Sequence, residues 1–306
     1  VIHEACRCRR HPDILCESCR TLAARCELTV TRTAMDRYAV MGDPIAHSKS
    51  PRIHALFAYQ TDQQLQYEAI RVQSGDLAVA VSDFHATGGK GLNITVPLKE
   101  EAWSLAQTRS GRAERAGAVN TLVLDPSGNH FGDNTDGAGL VRDLLYNHGN
   151  TLQQKRLLLV GAGGAARGVI EPLLQEKPSL LVIANRTPEK AIELARLFCD
   201  LGHTEGCGQD DIADQSFDLI INATAASLAG QVPALPDSVV TTDSCCYDMM
   251  YADKPTAFMD WAQQHGAARC LDGLGMLVEQ AAESFYLWRA VRPDTRPIMQ
   301  LLRNPG

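Results

Sequence analysis

The chain has 306 residues, 45% of them hydrophobic and 21% charged, which excludes fibrous, collagen-like and disordered classes and suits about two domains of ~150 residues. A formal charge of −7, from 36 acidic and 29 basic residues, excludes the broad basic surface of a non-specific nucleic-acid binder. No run approaches the ~20 apolar residues of a membrane span, so neither nucleic acid nor membrane is an expected partner and a small molecule is.

Residues 1–34 hold Cys6, Cys8, Cys16, Cys19 and Cys26 together with six Arg and four acidic residues. They lack the apolar core of a signal peptide, and their acids oppose a transit peptide. The CxC and CxxC pairs, with His3 or His11, could ligate zinc, but the second CxxC knuckle of a zinc ribbon is missing. The expectation is a leader that is disordered or non-native, with the folded protein starting at Met35. The other cysteines, Cys199, Cys207, Cys245, Cys246 and Cys270, show no disulfide spacing and read as buried thiols of a reducing cytoplasm.

From Tyr38 onward, short β-branched runs alternate with amphipathic helical stretches, the pattern of an α/β chain. Strands are expected over 38–42, 67–72, 91–95 and 120–124, with helices starting near Pro51, Asp76 and Lys99. A second series follows over 156–160, 180–184, 218–222 and 239–243, with helices over 164–174, 188–201 and 256–265. Its near-continuous apolar strands fit a parallel sheet covered on both faces. A long helix over 274–290 comes after the second sheet is complete and could return to the first.

The first chemical motif is GAGGAA, from Gly161 to Ala166, between a strand and a helix. Gly161 permits the tight turn, Gly163 lets backbone approach a pyrophosphate, and Ala166 allows close helix packing; the plain alternative is a ligand-free βα turn. At the end of the next strand stand Asn185, Arg186 and Thr187 where NAD enzymes carry an acid. Arg186 suits a 2′-phosphate, with Lys190 one turn on as a second positive charge. Equally, Thr187 could cap a helix whose first residue is Pro188, leaving Arg186 merely solvated.

In the first series, HSKSP places Ser48 and Ser50 around Lys49. Ser50 could cap a helix starting at Pro51, yet two hydroxyls at a helix N-terminus also seat a carboxylate. Asn93, Thr95, Lys99, Asn120 and Asp136 then supply the amides, hydroxyl, ammonium and carboxylate that a polyhydroxylated ring requires. Taken singly, each is ordinary turn or cap chemistry, and Asp136 could cap a helix starting at Gly137.

From about Met35 to the C-terminus the chain resembles the shikimate dehydrogenase family, on PIAHSKSP, NITVPLK, AVNTL, DNTDG, GAGGAARGV, NRT, INAT, YDMMY and GLGMLVEQ in order. The resemblance implies an N-terminal mixed-sheet substrate domain, 35–135, completed by C-terminal helices, 273–306. It also implies a Rossmann-type NADP domain over 136–272. It assigns Ser48 and Ser50 to the substrate carboxylate, with Tyr251 nearby, and Thr95, Lys99, Asn120, Asp136 and Gln280 to ring oxygens. Toward NADP it assigns Gly161, Ala162, Gly163, Gly164, Ala165, Asn185, Arg186, Thr187 and Lys190, with Thr224, Met249, Gly273 and Met276 at the nicotinamide end; the plain alternative for GLGMLVEQ is a buried helix.

The implied reaction interconverts 3-dehydroshikimate and shikimate by hydride transfer, with Lys99 and Asp136 as the acid/base couple and no metal. Either residue could carry the proton, because coupled groups titrate as a pair. A quinate/shikimate dehydrogenase with broader cofactor use and a non-catalytic Rossmann metabolite sensor are the alternatives, and homodimerisation is left open.

Overall fold

The computed structural model describes residues 35–212 and 215–304; the leader, with its zinc reading and the expectation that it is disordered or non-native, lies outside them. The first half runs β1 (Asp36–Gly42), α1 (Ser50–Gln60), β2 (Leu65–Arg71), α2 (Leu77–Ala86), β3 (Gly89–Ile94), α3 (Lys99–Leu105), β4 (Thr108–Arg109), α4 (Gly111–Ala116), β5 (Thr121–Val123) and β6 (Phe131–Asp133). These strands form one six-stranded sheet ordered β2-β1-β3-β5-β6-β4. It is mixed, because β5 runs antiparallel to β3 and β6 while β1 is parallel to β2 and β3.

Next come α5 (Asp136–Arg142), continued by a π-helical turn (Asp143–Asn147), then β7 (Arg156–Val160), α6 (Gly164–Gln175), β8 (Leu180–Asn185), α7 (Pro188–Phe198), β9 (Thr204–Gly208) and β10 (Leu219–Asn222). The chain finishes with β11 (Cys245–Asp248), α8 (Ala257–Gln264), β12 (Arg269–Leu271), α9 (Leu274–Arg289) and α10 (Arg296–Arg303). The second sheet is parallel throughout, ordered β12-β11-β10-β7-β8-β9. That is the doubly wound dinucleotide-binding order, with its switch point between β7 and β10.

Strand periodicity builds both faces of this sheet. Leu157, Leu159, Leu181, Ile183 and Ile221 point into one core with Val169, Ile170 and Phe198. Their neighbours Leu158, Val160, Val182 and Ile220 point into another with Phe258 and Ala262. The first sheet is covered on one face by α2 and α3 through Val81, Phe84, Leu98 and Ala102. Its other face meets α1, α9 and α10, where Ile53, Phe57, Val278, Phe285, Ile298 and Leu302 form one cluster, and the Trp288 indole of α9 donates to the Leu122 carbonyl at 3.0 Å.

Three expectations need correction. The strand expected over 239–243 lies instead at Cys245–Asp248: Val239 closes a 3₁₀ turn, and the Thr241 and Ser244 side chains bond backbone locally, which competes with a ladder. The small strands β4, β6, β9 and β12 and the helices α4 and α10 were not expected; β9 sits at a sheet edge and carries no apolar alternation. All five described cysteines are free, but only Cys245 and Cys246 are buried. Cys207 and Cys270 lie on the two edge strands, and Cys199 follows α7 at the surface.

Helix α5 packs against both α9 and α6, and glycines make this possible. A Cβ on Gly139 would fall 2.7 Å from the Gln280 backbone N, and one on Gly137 would press into the Gly168 carbonyl. Gly139→Ala should therefore force α5 away from α9, at the ~1–3 kcal/mol typical of overpacking, and lower Tm by several degrees. Gly111→Ala, whose Cβ would meet nothing within 4 Å, is the control; equal melting of the two variants would contradict this packing.

Candidate active site

Lys99 opens α3 and Asp136 opens α5, and their side chains meet with Nζ 2.5 Å from Oδ2. The side chains are only 19% and 10% exposed, so each charge has lost much of its water and depends on the other. The second carboxylate oxygen, Oδ1, accepts from the Asn120 amide at 2.8 Å. The same amide donates to Thr135 Oγ1 at 3.0 Å and approaches Gln280 Oε1 at 3.5 Å, while Thr135 N donates back to Asn120 Oδ1 at 2.9 Å. Asp136 is not a helix cap: Thr135 holds that position, and the carboxylate is turned to Lys99 and Asn120.

Ser48 and Ser50 sit where α1 begins. Lys49 occupies the cap position and Ser50 the first helical one; Ser48 Oγ accepts the Ser50 N–H at 3.3 Å. Ser50 therefore does not cap this helix, and the helix end is satisfied from two residues before it. Tyr251 is brought to this loop, its ring 5.4 Å from Lys49 Nζ, and burial raises its phenol so that it stays a donor. Thr95 leaves β3 with its methyl against Gly42.

A buried polar chain runs from Tyr67 to Asn120. The Tyr67 hydroxyl, beside Ser50, donates to Asn93 Oδ1 at 2.7 Å. Asn93 Nδ2 donates to Thr121 Oγ1 at 3.2 Å and Ser284 Oγ at 3.0 Å, and the Thr121 hydroxyl donates to Asn120 Oδ1 at 2.9 Å. Of these, Thr135 sits inside a motif the sequence singled out, whereas Tyr67 and Ser284 carry no sequence signal.

The glycine turn lies on the other side of α5. Gly161 has φ +115° and donates to the Ala184 carbonyl at 2.7 Å, so the turn needs glycine for its backbone. Gly163 and Gly164 are different, since a Cβ on either would meet no protein atom within 4 Å. Protein packing does not require them, and their open side faces the N-terminus of α6. They line an open cleft of about 550 Å³ with Ala162, Arg167, Lys190 and, from α3, Glu100; Ala165 is the second residue of α6. Arg186 and Thr187 follow β8 directly, Asn185 Nδ2 bonds the Thr187 carbonyl at 3.0 Å, and Arg186 is exposed with no ion pair among the described residues. Thr187 holds the cap position of α7 without a side-chain cap bond. Arg167, in the first turns of α6, escaped the sequence reading although it lies within GAGGAARGV.

At the C-terminal ends of β7 and β10, Thr224 stands against Gly161, its methyl 3.2 Å from where a Cβ would lie. Gly273 packs its backbone directly on the Met249 carbonyl, leaving no space for a Cβ, and Met276 follows in the first turn of α9. Met276 and Gln280 thus share the helix that α5 touches.

A glycine-lined cleft at a doubly wound sheet, with an ammonium–carboxylate pair at the starts of α3 and α5, is the arrangement of a dinucleotide-linked oxidoreductase. Family models agree with this class in three stretches: the shikimate dehydrogenase substrate binding domain matches residues 40–122, shikimate / quinate 5-dehydrogenase 143–230, and the shikimate 5'-dehydrogenase C-terminal domain 273–303. The shikimate dehydrogenase (NADP(+)) of Nitrosococcus oceani is 58% identical over 269 residues, 88% of this chain and 95% of that one. An Ael1 enzyme from Pseudomonas putida superposes with a TM-score of 0.84 at 47% identity, covering 88% of this chain and 99% of its own. The shikimate 5-dehydrogenase of Thermus thermophilus, solved in complex with NADP(H) and shikimate, gives 0.78 at 31% identity over 88% and 99%. The chain belongs to the shikimate dehydrogenase family.

His54, one turn after Ser50 on α1, is fully buried, lies flat on Tyr67 at 4.1 Å, and neither ring nitrogen has a partner. Burial pushes its imidazole down to about 3. An unfolded histidine takes its proton near 6.5, so between these values the unfolded chain binds the extra proton and stability is lost as pH falls, by up to ~1.4 kcal/mol per unit. Urea unfolding from about pH 6.5 to 4 should therefore show a shallower pH dependence in His54→Phe than in the parent; identical slopes would contradict the assignment.

Proposed function

We propose that the chain is an NADP-dependent shikimate dehydrogenase that interconverts 3-dehydroshikimate and shikimate for aromatic amino-acid biosynthesis, with Lys99 and Asp136 as its acid/base couple. The observation that carries the residue roles is the Lys99–Asp136 contact, held by Asn120 in a half-desolvated pocket. Residues 35–135 with 273–306 would form the substrate lobe and 136–272 the NADP lobe, a division supported by the two separate sheets and by the packing of α9 and α10 on the first. A cytoplasmic setting is supported by the free thiols among the described residues. No helix among those residues is long and apolar enough to cross a membrane.

The residues present fit NADP. The unfilled side of Gly163 and Gly164 admits the pyrophosphate, Lys190 and Arg167 bring positive charge to the cleft, and Arg186 is exposed directly after β8. When bound, NADP supplies the hydride acceptor or donor at its nicotinamide ring. Asn185 and Thr187 would hold the ribose end, and Thr224, Met249, Gly273 and Met276 would wall the nicotinamide end. Ser48, Ser50 and Tyr251 would grip the substrate carboxylate, while Thr95, Asn120 and Gln280 orient the ring hydroxyls. As the ketone is reduced its oxygen gains a proton, and Lys99 Nζ is the acid at hand; Asp136 restores or shares that proton through their common contact.

Lys99→Ala should lower kcat by ~10² or more, with a smaller change in KM for shikimate, in a spectrophotometric assay of NADPH; near-normal turnover would overturn the role. Arg186→Ala should weaken NADP by about 10- to 150-fold and NAD much less, measured by titration of each cofactor. Equal losses for both would assign Arg186 a structural role.

A further inference from the structure

Outside the substrate and phosphate groups, one buried polar contact touches three segments of the site at once. Tyr247 of β11 and Asp143 of the π-helical turn are both fully buried, and the Tyr247 hydroxyl donates to Asp143 Oδ2 at 2.7 Å. Asn147 Nδ2 donates to the other oxygen at 2.9 Å, and His148 Nε2 lies 3.6 Å from Oδ2. The backbone N–H of Met276, one of the first-turn donors of α9 that have no acceptor within the helix, lies near the phenol. On the same turn, Gly275 leaves no space for a Cβ against Asp143 Oδ1. The carboxylate therefore rests directly on the backbone at a helix N-terminus, where negative charge is favoured.

The geometry points to Asp143 and Tyr247 as positioning residues for hydride transfer, an inference that rests on the reading of Met249 and Met276 as the wall of the nicotinamide end. The contact ties together the strand end that leads to Met249, the helix turn that carries Met276, and α5, whose opposite end presents Asp136. It would hold the wall of the nicotinamide end and the acid/base pair at one fixed separation. Loss of the hydroxyl leaves each piece folded but slack relative to the others, and a misplacement of about 1 Å costs up to ~10² in rate.

The test is Tyr247→Phe, which keeps the ring, assayed at saturating NADP with shikimate and with shikimate deuterated at C3. Expected are a kcat lowered about tenfold, a larger primary isotope effect as transfer itself becomes limiting, a shikimate KM changed by a factor of ~3 or less, and only a small shift in Tm. Asp143→Asn, which keeps an acceptor for the hydroxyl, should fall between the parent and Tyr247→Phe. Unchanged kcat in Tyr247→Phe, or a lower kcat with an unchanged isotope effect, would overturn the proposal. Met276→Ala separates the underlying reading: if it alters neither NADP affinity nor the isotope effect, the nicotinamide wall is misassigned and the proposal falls with it. A normal Tyr247→Phe beside an impaired Met276→Ala removes the positioning role alone.

Discussion

Everything in this active site depends on how closely α5 can approach its two neighbours. Helix axes at ordinary separations, about 8–10 Å, leave room for side chains between them; here Gly137 and Gly139 remove those side chains, and α5 lies backbone to backbone with α6 and α9. The first residue of α5 is Asp136 and the π-helical turn at its end starts with Asp143. One short element therefore sets the distance from the glycine turn of the Rossmann sheet to the polar cluster of the mixed sheet.

The polar cluster shows why such rigidity matters. An isolated ion pair at a surface contributes little, whereas one held away from water is costly to break because the remaining charge has no compensation. Asn120 satisfies the second oxygen of Asp136, Thr135 braces Asn120, and Asn93, Thr121 and Ser284 continue the network inward. These mutual bonds fix Lys99 and Asp136 in one place before any substrate arrives. Such preorganisation is what lets a polar group act in a transition state without first rearranging.

Much of this was legible in the amino-acid sequence, and the gaps have physical causes. GAGGAA after LLLV announces itself because backbone approach to phosphate demands glycine in a fixed order, and Lys99, Asn120 and Asp136 lie in motifs of distinctive composition. The edge strands β9 and β12 were invisible because a strand covered on fewer sides does not need apolar alternation. Val239 and Val240 suggested a strand for the right reason, burial, but threonine and serine side chains took the backbone hydrogen bonds first. Tyr67, Ser284 and Asp143 stayed hidden because their partners come from segments distant in sequence, Asn93, Thr121 and Tyr247, and no local pattern records such pairings.

The C-terminal helices carry a consequence for how the chain is made. Ile53 and Phe57 on α1 are buried in one cluster with α9 and α10, which are made after every strand of both sheets, whereas β7 to β12 and their helices are continuous in sequence. During synthesis the parallel sheet can close as a unit while the mixed sheet waits with one apolar face uncovered. The interval is the time to translate roughly 230 residues between α1 and the end of α9, on the order of ten seconds or more at ordinary synthesis rates. Over that interval the nascent first lobe presents a ready surface for chaperone binding, and a stop codon before α9 would release a product with a finished nucleotide-binding half and a permanently sticky partner.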